Sequence, residues 1–483
     1  MSSHNNSIQR SVVGSLAIPI TQRERSTERG AEDVWLTGFI LLHIPLALLL
    51  RSSAFFSALH ALAVLAIGLG AALLRRKDER LPLWTLGYIA GAEVLWRATG
   101  AAEQIAWEQA RYLSFLILAI AILRRGKQQR LPLLPLLYTL YQLPALLFYV
   151  GRPFYQLRHW ALGTLLGPLA ITLFAVYFSG LQLDKATLKR LAMIVLAPVV
   201  GTATLGAYNL LTIPIRFGLS SNPLASGGMG PNQVSNLLAF GAVFCWLLIA
   251  QQLGRRALRI LLAIILILLT VQMLLTFSRG GVWTLAIIII CTLPLILRSN
   301  PRRWQIFLLI AGLVALFLLV IWPWLIDLTS GRIVARYFSL DTTGRWELFQ
   351  SEIQIWLDHP IFGVGPGLAR ELVDEYVAER EMQAHVEFSR ILAEHGILGL
   401  LALAVLVIGS VRNYARASGW EAHLWILAAT LFALIYMAQS ATRTVAPEFL
   451  YGLTWACLFP NPGPADEREQ SRARLLRHRL LAH

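Results

Sequence analysis

The sequence predicts an all-α, polytopic integral membrane protein of about 12–14 transmembrane helices, with one large extracytoplasmic loop that itself contains helices. Three observations predict this. The 483 residues are 56% hydrophobic and only 14% charged, where a soluble domain carries roughly 25% charged residues. Apolar runs near the ~20 residues needed to cross a bilayer recur along most of the chain. Lys and Arg collect in short clusters between those runs, the pattern of cytoplasmic loops. Backbone groups in lipid must pair internally, which favours helices, and the alternating ~10-residue pattern of a barrel is absent.

Residues 1–33 are polar and rich in Ser and Arg, without an apolar core leading to a small-residue cleavage site. They read as a disordered cytoplasmic tail. A helical bundle is expected over 34–326, from apolar runs at 35–50, 54–74, 81–97, 107–123, 131–150, 160–181, 191–213, 233–253, 258–277, 282–297 and 304–325. A polar interval, 327–385, is expected to form a large extracytoplasmic loop and to carry the catalytic candidates. C-terminal membrane helices follow within 386–460, from runs at 386–411, 424–440 and 447–459, and a basic cytoplasmic tail closes the chain at 461–483. That makes fourteen spans. With the N-terminus in the cytoplasm, every strong basic cluster falls on one side, as the positive-inside rule requires. The loop at 327–385 then faces the other side.

The net charge of +15 is therefore read as topology, and no nucleic-acid partner is expected. Cys245, Cys291 and Cys457 all fall in apolar runs far apart in sequence, which argues against a disulfide framework or metal site. They are expected to be buried and inert.

Within the loop, 345–359 has helical period, with Trp346, Phe349, Ile353, Trp356 and Leu357 on one face. Such a helix can lie on the bilayer surface, cap a cleft or pack on the loop's own core. Pro360 ends it, Gly363, Gly365 and Gly367 with Pro366 make a turn, and 368–381 reads as a second, charged helix.

Ionisable residues at the membrane edge are expensive, so each is a functional candidate. Arg279, in Ser278-Arg279-Gly280-Gly281, lies in a tight outer turn, against the average charge bias. Its planar fork suits a phosphate, although snorkelling to lipid phosphates is the alternative. Arg345 begins the loop helix beside Gly344. His385 stands where the chain re-enters the membrane, and a neutral imidazole there can remove a hydroxyl proton. Its competitors read as structural: His359 as a helix-end residue and His395, before Gly396, as part of a packed bend. The Gly227–Gln233 stretch containing Asn232, with Arg216 nearby, forms another outer feature, as do Arg152, Arg158 and His159, and Arg443. Several outer cations suggest an anionic ligand on that face, with scattered solvated charges as the competing reading. No HExxH, paired CxxC, Asp-rich motif, GxSxG elbow or P-loop is present, so no metal or cofactor is expected and an already activated substrate fits better.

Thr276-Phe277-Ser278-Arg279-Gly280, Gly344-Arg345-Trp346, Pro360-Ile361-Phe362-Gly363-Val364-Gly365-Pro366-Gly367, Ala384-His385 and Leu392-Ala393-Glu394-His395-Gly396-Ile397-Leu398-Gly399 together resemble the O-antigen ligase and polymerase superfamily in order, spacing and the late outer loop. The resemblance is motif-specific over 232–399. The chain departs from the family pattern in having Val386 where Asn more usually follows the His, and fourteen apolar runs where about twelve spans are common.

The resemblance implies a metal-independent, inverting glycosyltransferase of the inner (cytoplasmic) membrane, multi-pass, with its site facing the periplasm. It would move a glycan from undecaprenyl diphosphate to an acceptor hydroxyl. In an O-antigen ligase of lipopolysaccharide biosynthesis the acceptor is lipid A-core. In a polymerase it is a second lipid-linked glycan. His385 becomes the base, and Arg279 and Arg345 stabilise the leaving diphosphate. Arg216, Asn232 and Arg158 are expected as further diphosphate contacts. The reading from another class is a lipid-linked glycan transporter, which should carry ionisable residues near the midplane or inverted repeats. Here the candidates gather at the outer edge, which favours an enzyme.

Overall fold

A computed structural model describes residues 22–74, 80–126, 129, 131–339, 344–376 and 386–460. It is an all-α bundle, and ten of its helices are long and apolar enough to cross a membrane. In chain order the helices are α1 (Gln22–Ser52), α2 (Ala54–Leu74), α3 (Arg80–Ala98), α4 (Gln109–Arg125), α5 (Leu133–Leu140), α6 (Phe154–Ser179), α7 (Lys185–Thr212), α8 (Pro231–Ala250), α9 (Arg256–Leu275), α10 (Arg279–Ser299) and α11 (Arg303–Leu328), of which all but α3, α4 and α5 are among the ten. The loop contributes α12 (Arg332–Phe338), α13 (Arg345–Asp358) and α14 (Ala369–Tyr376). Then come α15 (Glu387–Arg416), α16 (Gly419–Ser440) and α17 (Val445–Leu453).

Helix α8 is the axis. Every residue from Val234 to Ala250 is buried, as expected of a helix apolar on all sides. Helices α7, α9, α10 and α16 pack around it. At the rim, α11 buries only Ile306 and Leu325 and exposes Leu308, Leu318, Leu319 and Val320. So large an apolar surface is tolerated where lipid covers it.

Four of the fourteen runs take other forms. Those at 81–97 and 107–123 become α3, with 19 residues, and α4, with 17. The run at 131–150 breaks into α5 and a 3-10 segment, Leu143–Tyr149, where Pro144 removes a backbone donor. The run at 447–459 gives only the nine residues of α17, about 14 Å of helix. A turn over 454–456 leads to β2 (Cys457–Leu458), which pairs in parallel with β1 (Gln182–Leu183). That pairing satisfies backbone groups the helix leaves open.

The expectation of a disordered tail through Asp33 gives way at Gln22, where α1 begins. Its acidic residues are held by α7: Glu32 and Asp33 pair with Lys189 at 3.1 and 2.7 Å, and Glu32 with Arg190 at 2.5 Å. Residues 1–21 and the basic tail at 461–483 lie outside the described residues. Cys245 is buried as expected, but Cys291 and Cys457 are exposed.

The two ends of the bundle differ. One gathers Lys185, Lys189, Arg255 and Arg302 with the β1–β2 pair. The other, about 30 Å away along the 20 residues of α8, gathers the N-termini of α8, α10 and α15, the C-termini of α3 and α16, and the loop helices.

Candidate active site

The starts of α8 and α10 are sewn together. The Ser278 hydroxyl donates to Asn232 Oδ1 at 2.7 Å, Ser235 Oγ donates to the Ser278 carbonyl at 3.0 Å, and the Gly281 amide donates to Ser235 Oγ at 3.2 Å. Gly281 is needed here because a side chain would strike the Ser235 backbone, and Gly280 lies against the Gln439 side chain. This fixes the turn that carries Arg279, and Asn232 is part of the fixing.

The turn is then tied to α12 by two crossing bonds. Arg279 Nη1 donates to the Ser339 carbonyl at 2.6 Å, and Arg336 Nε donates to the Phe277 carbonyl at 3.0 Å. Phe277 holds a left-handed φ of 56°, an uncommon conformation for a non-glycine residue that marks a tight constraint.

Gly344, at φ 74°, starts α13 and presents Arg345 in its first turn. Residues Leu348, Ser351, Glu352 and Ile355 form the buried stripe of this helix, one helical face at i, i+3, i+4, i+7. Arg345 lies three residues before Leu348 on that same stripe. The apolar face around Trp346 and Leu357 points outward: these two are 54% and 58% exposed. The inward stripe docks on α15, where Glu352 accepts from the Ser389 hydroxyl at 2.5 Å. Burial raises the Glu352 carboxyl to about 8, against the opposing pull of Ser389 and Arg390.

Helix α15 contains a break at Gly396 (φ 59°), and the glycine loop fills it. The Val364 and Gly365 amides donate to the Ala393 and Glu394 carbonyls at 3.0 and 2.9 Å, and the Ile397 amide donates to the Ile361 carbonyl at 3.2 Å. His395 is buried in this bend, as expected. Just before it, Arg390 bridges Glu387 at 2.6 Å and Glu394 at 2.5 Å.

Charge concentrates around Arg345. Burial lowers its pKa, and the guanidinium groups of Arg279, Arg336 and Arg443 lower it further. Like charges held this close favour an anion between them. Arginines supply planar forks for its oxygens. The chain thus brings together Arg279, Arg345 and Asn232, and adds Arg336 and Arg443. Arg216 and Arg158 are exposed and are not among the charges acting on Arg345. His385 lies outside the described residues. Glu387, two residues later, accepts from the Thr442 hydroxyl at 3.1 Å, beside Arg443. Among the described residues no cluster of His, Cys, Asp or Glu is arranged to hold a metal ion.

Arg336 was not singled out from the sequence. Its signal was an arginine on the apolar face of a short helix, three residues after the buried Ile333. The buried carboxylates of α3, α15 and α17 were also missed as a group, because the bonds that join α3 and α17 to distant segments, such as Arg111 with Glu448 and the Val445 amide with Glu93, span hundreds of residues.

No curated protein matches the chain. Residues 263–404 match the O-antigen ligase family, a segment that runs from α9 into α15 and includes Arg279, Arg336, Arg345 and His385. The match supports a glycosyl-transfer enzyme of ligase or polymerase type acting on lipid-linked glycan and glycolipid substrates. The fold makes the chain a multi-pass membrane protein, and the match makes its segment 263–404 similar to the O-antigen ligase family.

Proposed function

We propose that the chain is a metal-independent, inverting glycosyltransferase that moves a glycan from undecaprenyl diphosphate to an acceptor hydroxyl, as an O-antigen ligase with lipid A-core as acceptor. The observation that carries this reading is the convergence of Arg279, Arg336 and Arg443 on Arg345 at the end of the bundle opposite its basic loops. By the positive-inside rule that end faces the periplasm.

The acceptor oxygen attacks the anomeric carbon as the bond from that carbon to the diphosphate oxygen breaks. Negative charge develops on the departing diphosphate, and Arg279 and Arg345 meet it with groups already fixed in place. His385 takes the acceptor proton as the new bond forms. Attack opposite the leaving group inverts the anomeric centre. Asn232 serves by holding Ser278 and so the turn before Arg279.

The test is to incubate purified protein with an undecaprenyl diphosphate-linked glycan and candidate acceptors, with and without chelator. The reading expects undecaprenyl diphosphate release with one glycan added per acceptor, unaffected by chelator. A ladder of lengthened lipid-linked glycan would instead identify a polymerase, and movement of intact donor across a bilayer would identify a transporter.

A further inference from the structure

The loop between α16 and α17 carries a single cation, Arg443, and buried charged side chains bond four backbone groups from Thr442 to Val445. The Thr442 amide and hydroxyl donate to Glu387 at 3.3 and 3.1 Å. The Thr442 carbonyl accepts from Arg111. The Arg443 carbonyl accepts from Arg97 Nη1 at 3.0 Å, and the Val445 amide donates to Glu93 at 2.6 Å. The clamping groups are themselves paired: Arg97 with Glu93 at 2.6 Å, Arg111 with Glu448 at 2.9 Å, and Glu387 with Arg390 at 2.6 Å. Buried ion pairs of this kind contribute little net stability because desolvation offsets their attraction. They do hold one geometry, since losing either partner strands a buried charge.

That geometry puts Arg443 beside the anion site. Arg97 Nη1 also donates to Gln233 at 3.0 Å, next to Asn232. The Asn236 amide donates to the Ser440 hydroxyl at 3.2 Å, and Gln439 crowds Gly280, next to Arg279. On its other flank the loop meets Glu387. Glu387 on that flank also has Arg390 as an ion-pair partner at 2.6 Å.

Resting on the diphosphate reading of the site, we infer that Arg443 is a third diphosphate-binding arginine beside Arg279 and Arg345, preset by the clamp of Glu93, Arg97, Arg111 and Glu387. A cation ordered in advance loses little freedom when the ligand arrives. The match to O-antigen ligases ends at residue 404, so this contribution comes from outside the matched segment.

The experiment measures binding of undecaprenyl diphosphate to the purified full-length protein. Compared are wild type, Arg279→Gln, Arg443→Gln, Arg443→Lys and the exposed outer-loop control Arg332→Gln. The expected result is binding weakened about tenfold or more in Arg443→Gln, as for loss of a charge-assisted hydrogen bond, with Arg443→Lys intermediate and Arg332→Gln unchanged. If Arg279→Gln weakens binding but both Arg443 variants bind as wild type does, the inference is overturned and the site reading survives. If wild type itself does not bind, the site reading fails and takes the inference with it. Should Arg443→Gln not fold, Arg443→Lys decides, because it keeps the positive charge near Glu387. Several-fold weaker binding at an unchanged melting temperature supports the inference, and wild-type binding overturns it.

Discussion

The Gly365 amide donates to the Glu394 carbonyl at 2.9 Å, so a loop supplies a hydrogen bond at the break in α15. The helix ladder is interrupted at Gly396, and buried carbonyls left open there would each cost free energy. Val364 and Gly365 satisfy two of them, and Ile397 reaches back to Ile361. A membrane helix and an outer loop thereby become one unit, which fixes where α13 and Arg345 stand.

Gly396→Ala should uncouple that unit. A Cβ at 396 would lie 2.5 Å from the Ile361 carbonyl oxygen, and φ is 59°. Positive-φ strain at a non-glycine residue costs on the order of 1–3 kcal/mol, before the clash is counted. The variant should expose 361–367 to proteolysis and hydrogen exchange and lose transfer activity. Wild-type protection of this segment would contradict the coupling.

Arg279, Arg336 and Arg443 act on Arg345 as like charges, which disfavours its charged form. Arg345→Gln should therefore melt no lower than wild type without ligand, as removal of one like charge relieves the rest. Undecaprenyl diphosphate should stabilise wild type, by about 2.7 kcal/mol at a hundred times Kd, and stabilise Arg345→Gln less. Thermal melts with and without ligand check both halves.

Arg279→Lys should fail in transfer although it keeps the charge. One guanidinium nitrogen is engaged with the Ser339 carbonyl at 2.6 Å, and a lysine cannot hold that bond and a diphosphate oxygen with the same fork. Loss on the order of 100-fold in turnover is expected, as for removal of one preorganised donor. Turnover equal to wild type would remove the need for a fork.

Glu352 predicts a pH effect on stability. Its carboxyl is raised from 4.5 to about 8 in the fold, chiefly by burial. Between those values the folded state holds a proton that the unfolded state has lost. Stability from this group is thus complete below about 4.5 and declines as pH rises to about 8. Glu352→Gln, neutral at every pH, should flatten that decline in melting temperature across the window. An unchanged slope would reassign the effect to other groups.

Much of the scaffold could be read from the chain because bilayer thickness imposes one length scale on apolar runs. Arg279 stood out in the sequence as a cation in a tight turn, against the average charge bias, and Arg345 through the Gly344-Arg345-Trp346 segment of the resemblance. The kink at Gly396 showed only as a His-Gly pair, since its cause is a loop some thirty residues earlier. The inward stripe of α13 was not legible because its best apolar face is not the one that packs: Ser351 and Glu352 face inward to meet Ser389, a choice made by tertiary hydrogen bonds. Arg158 and Arg216 were selected by side of the membrane alone, and side does not measure distance.

The central claim is that a base acts beside the arginines that hold the diphosphate, and one paired measurement on His385→Ala tests it. Undecaprenyl diphosphate-glycan binding and glycan transfer are measured on the same purified variant. The account predicts binding close to wild type with transfer abolished. Transfer at the wild-type rate, or binding lost as fully as transfer, would contradict it.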